Sequence, residues 1–239
     1  MTERRCVIVA GFPRSGTSWL AKCLSFAPGF TYYREPDNFD LVFANLNLAW
    51  FSANVPHARQ VCVLRHPCGQ FASWKRLGWE PDPVTLLENP RLVGDHLHPF
   101  ADLLRSADSF WERSGALWAA TAYVLHRQTQ ADGGRLIVAY EWLCHDPIAR
   151  FRELYDRLGM TWSARIERRV GETNVDGNTR TYSVKRPTAF QVDRWKQRVP
   201  PEEIDACRRF VEPFGLPYYP DFEPYAEAFS GAASVTSHG

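Results

Sequence analysis

The segment Gly11-Phe12-Pro13-Arg14-Ser15-Gly16-Thr17-Ser18 is the densest concentration of potential chemistry in the sequence. It follows the apolar run Val7-Ile8-Val9-Ala10 and precedes an amphipathic pattern that begins at Thr17. Strand, glycine-bounded loop and helix in that order bring successive backbone N–H groups and the positive end of a helix dipole to one place. That combination binds anions. Four residues separate the two glycines, as in the ATP-binding phosphate loop, but that motif continues with Lys and then Ser or Thr. Here Gly16 is followed by Thr17 and Ser18, and the one cation, Arg14, lies inside the loop. The loop suits a phosphate group and lacks the lysine that serves the β- and γ-phosphates of ATP.

Two further groupings follow apolar runs. Arg65 ends the run Gln60-Val61-Cys62-Val63-Leu64, and Ser73 lies two helical turns into the next element. A guanidinium offers phosphate a planar fork of donors; a strand-end salt bridge and a small packing residue are the bland alternatives for this pair. Glu35, in Arg34-Glu35-Pro36, is either a solvated turn residue or, at a catalytic edge beside a cationic loop, a general base. His96 and His98 are the other candidates for that base, while His66 reads as a local hydrogen-bonding group. Tyr140 either lines a ligand site or ends a strand with its hydroxyl bonded. Lys185 and Arg186 lie in a polar, basic, turn-prone stretch over 176–187 that is either solvated or ligand-contacting.

These residues need elements to hold them. Short apolar runs at 6–10, 30–33, 60–64 and 135–139 read as strands. Helical patterns cover 17–26, roughly 37–51, 67–77, 115–129, 147–158 and 201–214. Strands alternating with helices predict an α/β fold, a doubly wound parallel sheet with helices on both faces. In such sheets ligands sit at the carboxyl ends of the strands. The stretch 78–113, rich in Pro, Trp, His and acids, reads as a lid inserted in a single domain over 1–229, and 230–239 as a disordered tail.

Bulk properties narrow the field. The chain has 239 residues, 45% of them hydrophobic, enough for one full core. A net charge of +1 gives no argument for nucleic acid, so anion binding has to come from local placement. The sequence shows no signal-peptide core and no apolar run long enough to span a bilayer, and none of the six cysteines forms a C-x-x-C pair. Cys6, Cys23 and Cys62 fall in apolar patterns and read as buried. A cytoplasmic chain without a metal is the expectation; the oligomeric state stays open.

Taken together, the motifs resemble those of sulfotransferases that use 3′-phosphoadenosine 5′-phosphosulfate (PAPS). The loop 11–18 is similar to that family's 5′-phosphosulfate loop. Arg65 with Ser73 is similar to its 3′-phosphate motif, an Arg followed eight positions later by Ser. Tyr140-Glu141-Trp142-Leu143 with Pro147 resembles its Y-E-x-L…P segment, and Val192-Asp193-Arg194-Trp195-Lys196 its late tryptophan motif. The style is nearest to tyrosyl-protein, carbohydrate-type and bacterial members. The resemblance implies that Arg14, Ser15, Gly16, Thr17 and Ser18 hold the 5′-phosphate, with Arg14 also neutralising charge on the bridging oxygen. It implies that Arg65 and Ser73 hold the 3′-phosphate, that Tyr140 contacts the nucleotide, and that Glu35 is the base. Lys185 and Arg186 depart from the family's Arg-Lys-Gly loop because Pro187 follows them. The implied reaction moves a sulfuryl group to the hydroxyl of a small molecule and releases 3′,5′-adenosine bisphosphate. Trp74, Trp79, Phe100, Phe110 and Trp111 favour an apolar or aromatic acceptor. A P-loop small-molecule kinase and a non-catalytic nucleotide-binding module are the alternatives.

Overall fold

The computed structural model describes residues 6–32, 46, 48–131, 135–174 and 192–223. Three parallel strands, β1 (Cys6–Gly11), β2 (Ala58–Leu64) and β3 (Arg135–Ala139), form a sheet in the order β1-β2-β3. β2 is central, and Val61, Cys62 and Val63 have no exposed surface. Its unbroken apolar run is what a strand covered on both faces requires. At the amino edge, Arg135 is buried but not unpaired. Its Nε donates to Gln60 Oε1 at 3.1 Å and its Nη2 to Ser52 Oγ at 2.9 Å.

Helices flank the sheet: α1 (Thr17–Leu24), α2 (Leu48–Asn54) and α3 (Pro67–Leu77), then α4 (Pro90–Leu92), α5 (Ala101–Ser106) and α6 (Phe110–Ala131). After β3 come α7 (Tyr140–His145), α8 (Pro147–Arg157), α9 (Ala164–Gly171) and α10 (Pro201–Val211). Local chemistry sets their ends. Pro67 opens α3 where an N–H would be unpaired anyway, and Gly78 closes it at φ 69°. Asp146 caps α8 by accepting from the Ala149 amide at 3.1 Å. α6 is the long central helix, and α10 packs so closely on it that a Cβ on Gly115 would lie 2.3 Å from the Cys207 carbonyl oxygen. The fold is therefore α/β, with a parallel sheet between helices. Among the described residues no helix is long and apolar enough to cross a membrane.

Several expectations change. Phe30, Thr31 and Tyr32 form no strand, and Tyr33 lies outside the described residues. The Phe30 amide donates to Ala27 O at 3.2 Å, so the segment turns back on the end of α1 instead of pairing with the sheet. Cys6 is exposed because it starts β1 at the sheet's margin. The helix at 17–26 ends at Leu24, and α6 starts at Phe110 rather than 115. Much of 78–113 is a succession of short helical turns, Val84–Glu88, α4, Val93–Leu97, His98–Phe100 and α5, leading into α6. The helices α7 and α9 had no sequence expectation.

Candidate active site

Register brings the three strands to a common edge. Gly11 pairs with Val63 and Leu64 with Ala139, so the chain leaves the sheet at Phe12, Arg65 and Tyr140 side by side.

The loop after β1 is tight. The Ser15 amide donates to Phe12 O at 3.0 Å, and Arg14 holds a left-handed backbone at φ 72°. Gly16, at φ 103°, takes the position before α1. Only glycine fits there: a Cβ would stand 2.5 Å from the Tyr140 ring. A Cβ on Gly11 would meet Ser15 Oγ at 2.6 Å and Val63 O at 2.8 Å. Thr17 and Ser18 open α1, so their amides have no carbonyl one turn earlier to bind. Ser15 Oγ is buried without a hydrogen-bond partner.

Arg65 ties this loop to the next strand end. Its Nη1 donates to Arg14 O at 3.1 Å, and its guanidinium lies 4.6 Å from the centre of the Tyr140 ring. From the other side, Arg14 Nε donates to Ser73 Oγ on α3 at 3.0 Å. Trp74, one residue on, donates from its indole to Pro13 O at 3.1 Å and stacks on Phe12 with centroids 5.4 Å apart. The loop, Arg65, Ser73 and Tyr140 thus form one connected unit, although they come from three separate stretches of chain.

Behind Arg65 lies a buried polar cluster. His66 has no exposed surface; burial, with Lys196, Arg65 and Arg208 nearby, pushes its pKa down to about 3. The ring is therefore neutral. Its Nε2 lies 3.0 Å from Phe222 O, which can only accept, so the proton is assigned to Nε2. Trp195 stacks on the imidazole with centroids 4.4 Å apart. The buried Glu141 carboxylate accepts from the His66 amide at 3.0 Å and from the Tyr219 hydroxyl at 2.7 Å. Burial pushes its pKa up, against the pull of Arg65 and of these two donors.

The fold as a whole has a solved counterpart. The chain superposes on mouse sulfotransferase SULT7A1 complexed with PAP with a TM-score of 0.54 and 14% sequence identity. The match covers 95% of this chain and 91% of that one. At that identity the likeness is one of fold. No family model matches the sequence, and no curated protein does.

Of the residues singled out from sequence, Arg14, Ser15, Gly16, Thr17, Ser18, Arg65, Ser73 and Tyr140 lie at this edge. Glu35, Lys185 and Arg186 lie outside the described residues. His96 and His98 belong to the helical turns before α5. The aromatic residues expected to line an acceptor site are largely occupied elsewhere. Trp74 packs on Phe12, Phe100 stacks on Phe214 at 4.0 Å, and buried Trp111 donates to Glu203. Trp74 and Trp111 are buried, Phe100 and Phe110 are half-buried, and Trp79 is exposed, its ring edge-on to Trp74 at 5.5 Å. Trp118 and Tyr219 were not singled out. Each is an aromatic residue with a polar tip that needs a partner when buried, but nothing local in the sequence names that partner.

Proposed function

We propose that the chain is a PAPS-dependent sulfotransferase that moves a sulfuryl group to a hydroxyl of a small-molecule acceptor. The observation that carries this reading is the direct linkage of the loop to the second cationic position: Arg14 Nε to Ser73 Oγ, and Arg65 Nη1 to Arg14 O. Two anion-binding positions built as one unit suit a nucleotide that carries separate 5′ and 3′ phosphates. Fold likeness to a sulfotransferase complexed with PAP supports it. The orphaned Ser15 hydroxyl, the first-turn amides of α1 and a loop that a Cβ at Gly11 or Gly16 would fill are compatible with a phosphate there.

In this reading Arg14, Ser15, Gly16, Thr17 and Ser18 hold the 5′-phosphate, and Arg65 and Ser73 the 3′-phosphate. Tyr140 supplies the face on which the Arg65 guanidinium rests. The acceptor oxygen forms a bond to sulfur as the bond from sulfur to the phosphate oxygen breaks. Arg14 stabilises the charge left on that oxygen, and a carboxylate takes the acceptor's proton. Glu35 is our choice for that base, with His96 and His98 as the alternatives. The stretch 78–113 is read as the lid of a single domain that works in the cytoplasm. A kinase reading has no lysine after Gly16 to serve a triphosphate and no use for the Arg65–Ser73 pair.

Titration calorimetry and turnover of labelled PAPS test the proposal together. The wild-type chain is expected to bind 3′,5′-adenosine bisphosphate and not ATP, and to transfer label to a hydroxyl acceptor. The Glu35→Ala variant is expected to keep that binding and lose turnover. Preference for ATP would overturn the sulfotransferase assignment; near-normal turnover of Glu35→Ala would move the base to His96 or His98.

A further inference from the structure

The peptide group that joins Arg65 to His66 is gripped on both sides by buried side chains. Its carbonyl, Arg65 O, accepts from Trp118 Nε1 at 2.9 Å. Its amide, His66 N, donates to Glu141 Oε1 at 3.0 Å. The other carboxylate oxygen, Oε2, accepts from the Tyr219 hydroxyl at 2.7 Å. Tyr219 lies 78 residues from Glu141, in the last described turn of the chain. That turn is strained: Tyr219, Asp221 and Phe222 all have positive φ, at 55°, 55° and 58°. Left-handed backbone is costly for a non-glycine residue, and it persists only where packing over-determines it. Here Tyr219 and Phe222 are buried, Tyr219 packs edge-on against His66 at 5.2 Å, and Phe222 O holds the His66 ring.

From this arrangement we infer that Glu141 and Tyr219, with Trp118, are positioning residues that fix the direction of the Arg65 side chain. Through them the C-terminal turn is part of the nucleotide site without touching the nucleotide. Arg65 leaves a peptide plane that cannot rotate while both grips hold. Its guanidinium then runs between the Tyr140 ring and Gly69, where a Cβ would stand 3.4 Å from Arg65 Nε and 3.1 Å from Trp195 Cδ1. With Tyr219 Oη removed, Glu141 loses one of the donors that anchor its side chain, and the peptide plane gains freedom. The inference rests on reading Arg65 as the ligand of the 3′-phosphate.

The test uses Tyr219→Phe and Glu141→Gln in the full chain, with folding checked by the urea midpoint. Calorimetry with 3′,5′-adenosine bisphosphate and with adenosine 5′-monophosphate gives the preference for a 3′-phosphate. That preference is expected to fall about tenfold in each variant, the scale of one hydrogen bond to a charged group. Affinity for the monophosphate is expected to stay unchanged. In the ligand-free protein, phenylglyoxal labelling of Arg65 relative to exposed Arg76, mapped by mass spectrometry, is expected to accelerate. Equal weakening of both nucleotides would reveal general damage and overturn the inference, as would unchanged preference. If the wild-type chain shows no preference for a 3′-phosphate, the functional reading fails, and labelling alone decides. Unchanged labelling then overturns the grip on Arg65, and faster labelling upholds it.

Discussion

His66 is a hydrogen-bonding residue sealed beneath the site, and its burial has a consequence for stability. Its pKa is about 3 in the folded chain, against an ordinary value of 6.5. Between those values the unfolded chain binds a proton that the folded chain refuses, so this contribution is fully present above 6.5 and is lost as pH falls toward 3. Glu141 acts in the opposite sense. Its raised pKa means the folded chain holds a proton at pH values where the unfolded carboxylate, near 4.5, has released it. His126, pushed down by burial and by Arg127, acts in the same sense as His66. The wild-type slope mixes these with other shifted groups, Glu112 and Glu167 among them, whereas the difference from His66→Gln isolates one. Within the acid window one proton corresponds to a slope of about 1.4 kcal/mol per pH unit. Urea unfolding across that window is expected to show a slope shallower by up to about this amount in the variant. The variant is also expected to be less stable at neutral pH, because it loses the stack on Trp195. Parallel curves for the two proteins would mean that His66 is protonated in the fold.

Among the elements, the contact between α6 and α10 is the most exacting. Gly115 faces the Cys207 carbonyl so closely that Gly115→Ala forces backbone to move. Overpacking of that kind costs about 1–3 kcal/mol, more than the up to about 1 kcal/mol that Ala gains over Gly in a helix. A lower urea midpoint is expected, while Gly171→Ala, with nothing within 4 Å of its added Cβ, is expected to be neutral or stabilising. Equal effects at the two positions would sink the close-packing account. The same contrast separates what sequence could and could not show. β3 and α3 have the expected limits, because an apolar run, a proline and a glycine define them locally. The expected strand at 30–33 is not found over its described residues, 30–32, because a short aromatic run says nothing about whether a partner strand is in reach. The places of the glycine-bounded loop and of Arg65 were legible because each follows a strand. Trp118 and Tyr219 were not, because each meets its partner at a separation of 53 and 78 residues, which only folding reveals.

At the scale of the whole molecule, a net charge of +1 exerts little general pull on an anion, so attraction has to come from local placement, such as the cations at the common edge of the sheet. That edge exists only in the folded chain. Arg14 and Ser73 are 59 residues apart, Arg14 and Arg65 51 apart, and His66 and Glu141 75 apart. A ligand that needs all of them binds the native state and has no counterpart site in the unfolded chain. Binding must then raise stability by mass action, about 2.7 kcal/mol at a ligand concentration one hundred times Kd. For a chain of this size each kcal/mol moves the melting temperature by about 2–4 °C, so a rise of about 5–10 °C is expected with 3′,5′-adenosine bisphosphate. Differential scanning fluorimetry measures it. ATP at the same concentration is expected to give no rise, and inorganic sulfate only the small, non-saturating effect of an excluded salt. Arg65→Ala is expected to remove most of the rise, because it deletes the residue proposed to hold the 3′-phosphate together with the hydrogen bond to Arg14 O. An equal rise with sulfate, or a full rise retained in Arg65→Ala, would mean that the edge does not recognise a nucleotide through these residues.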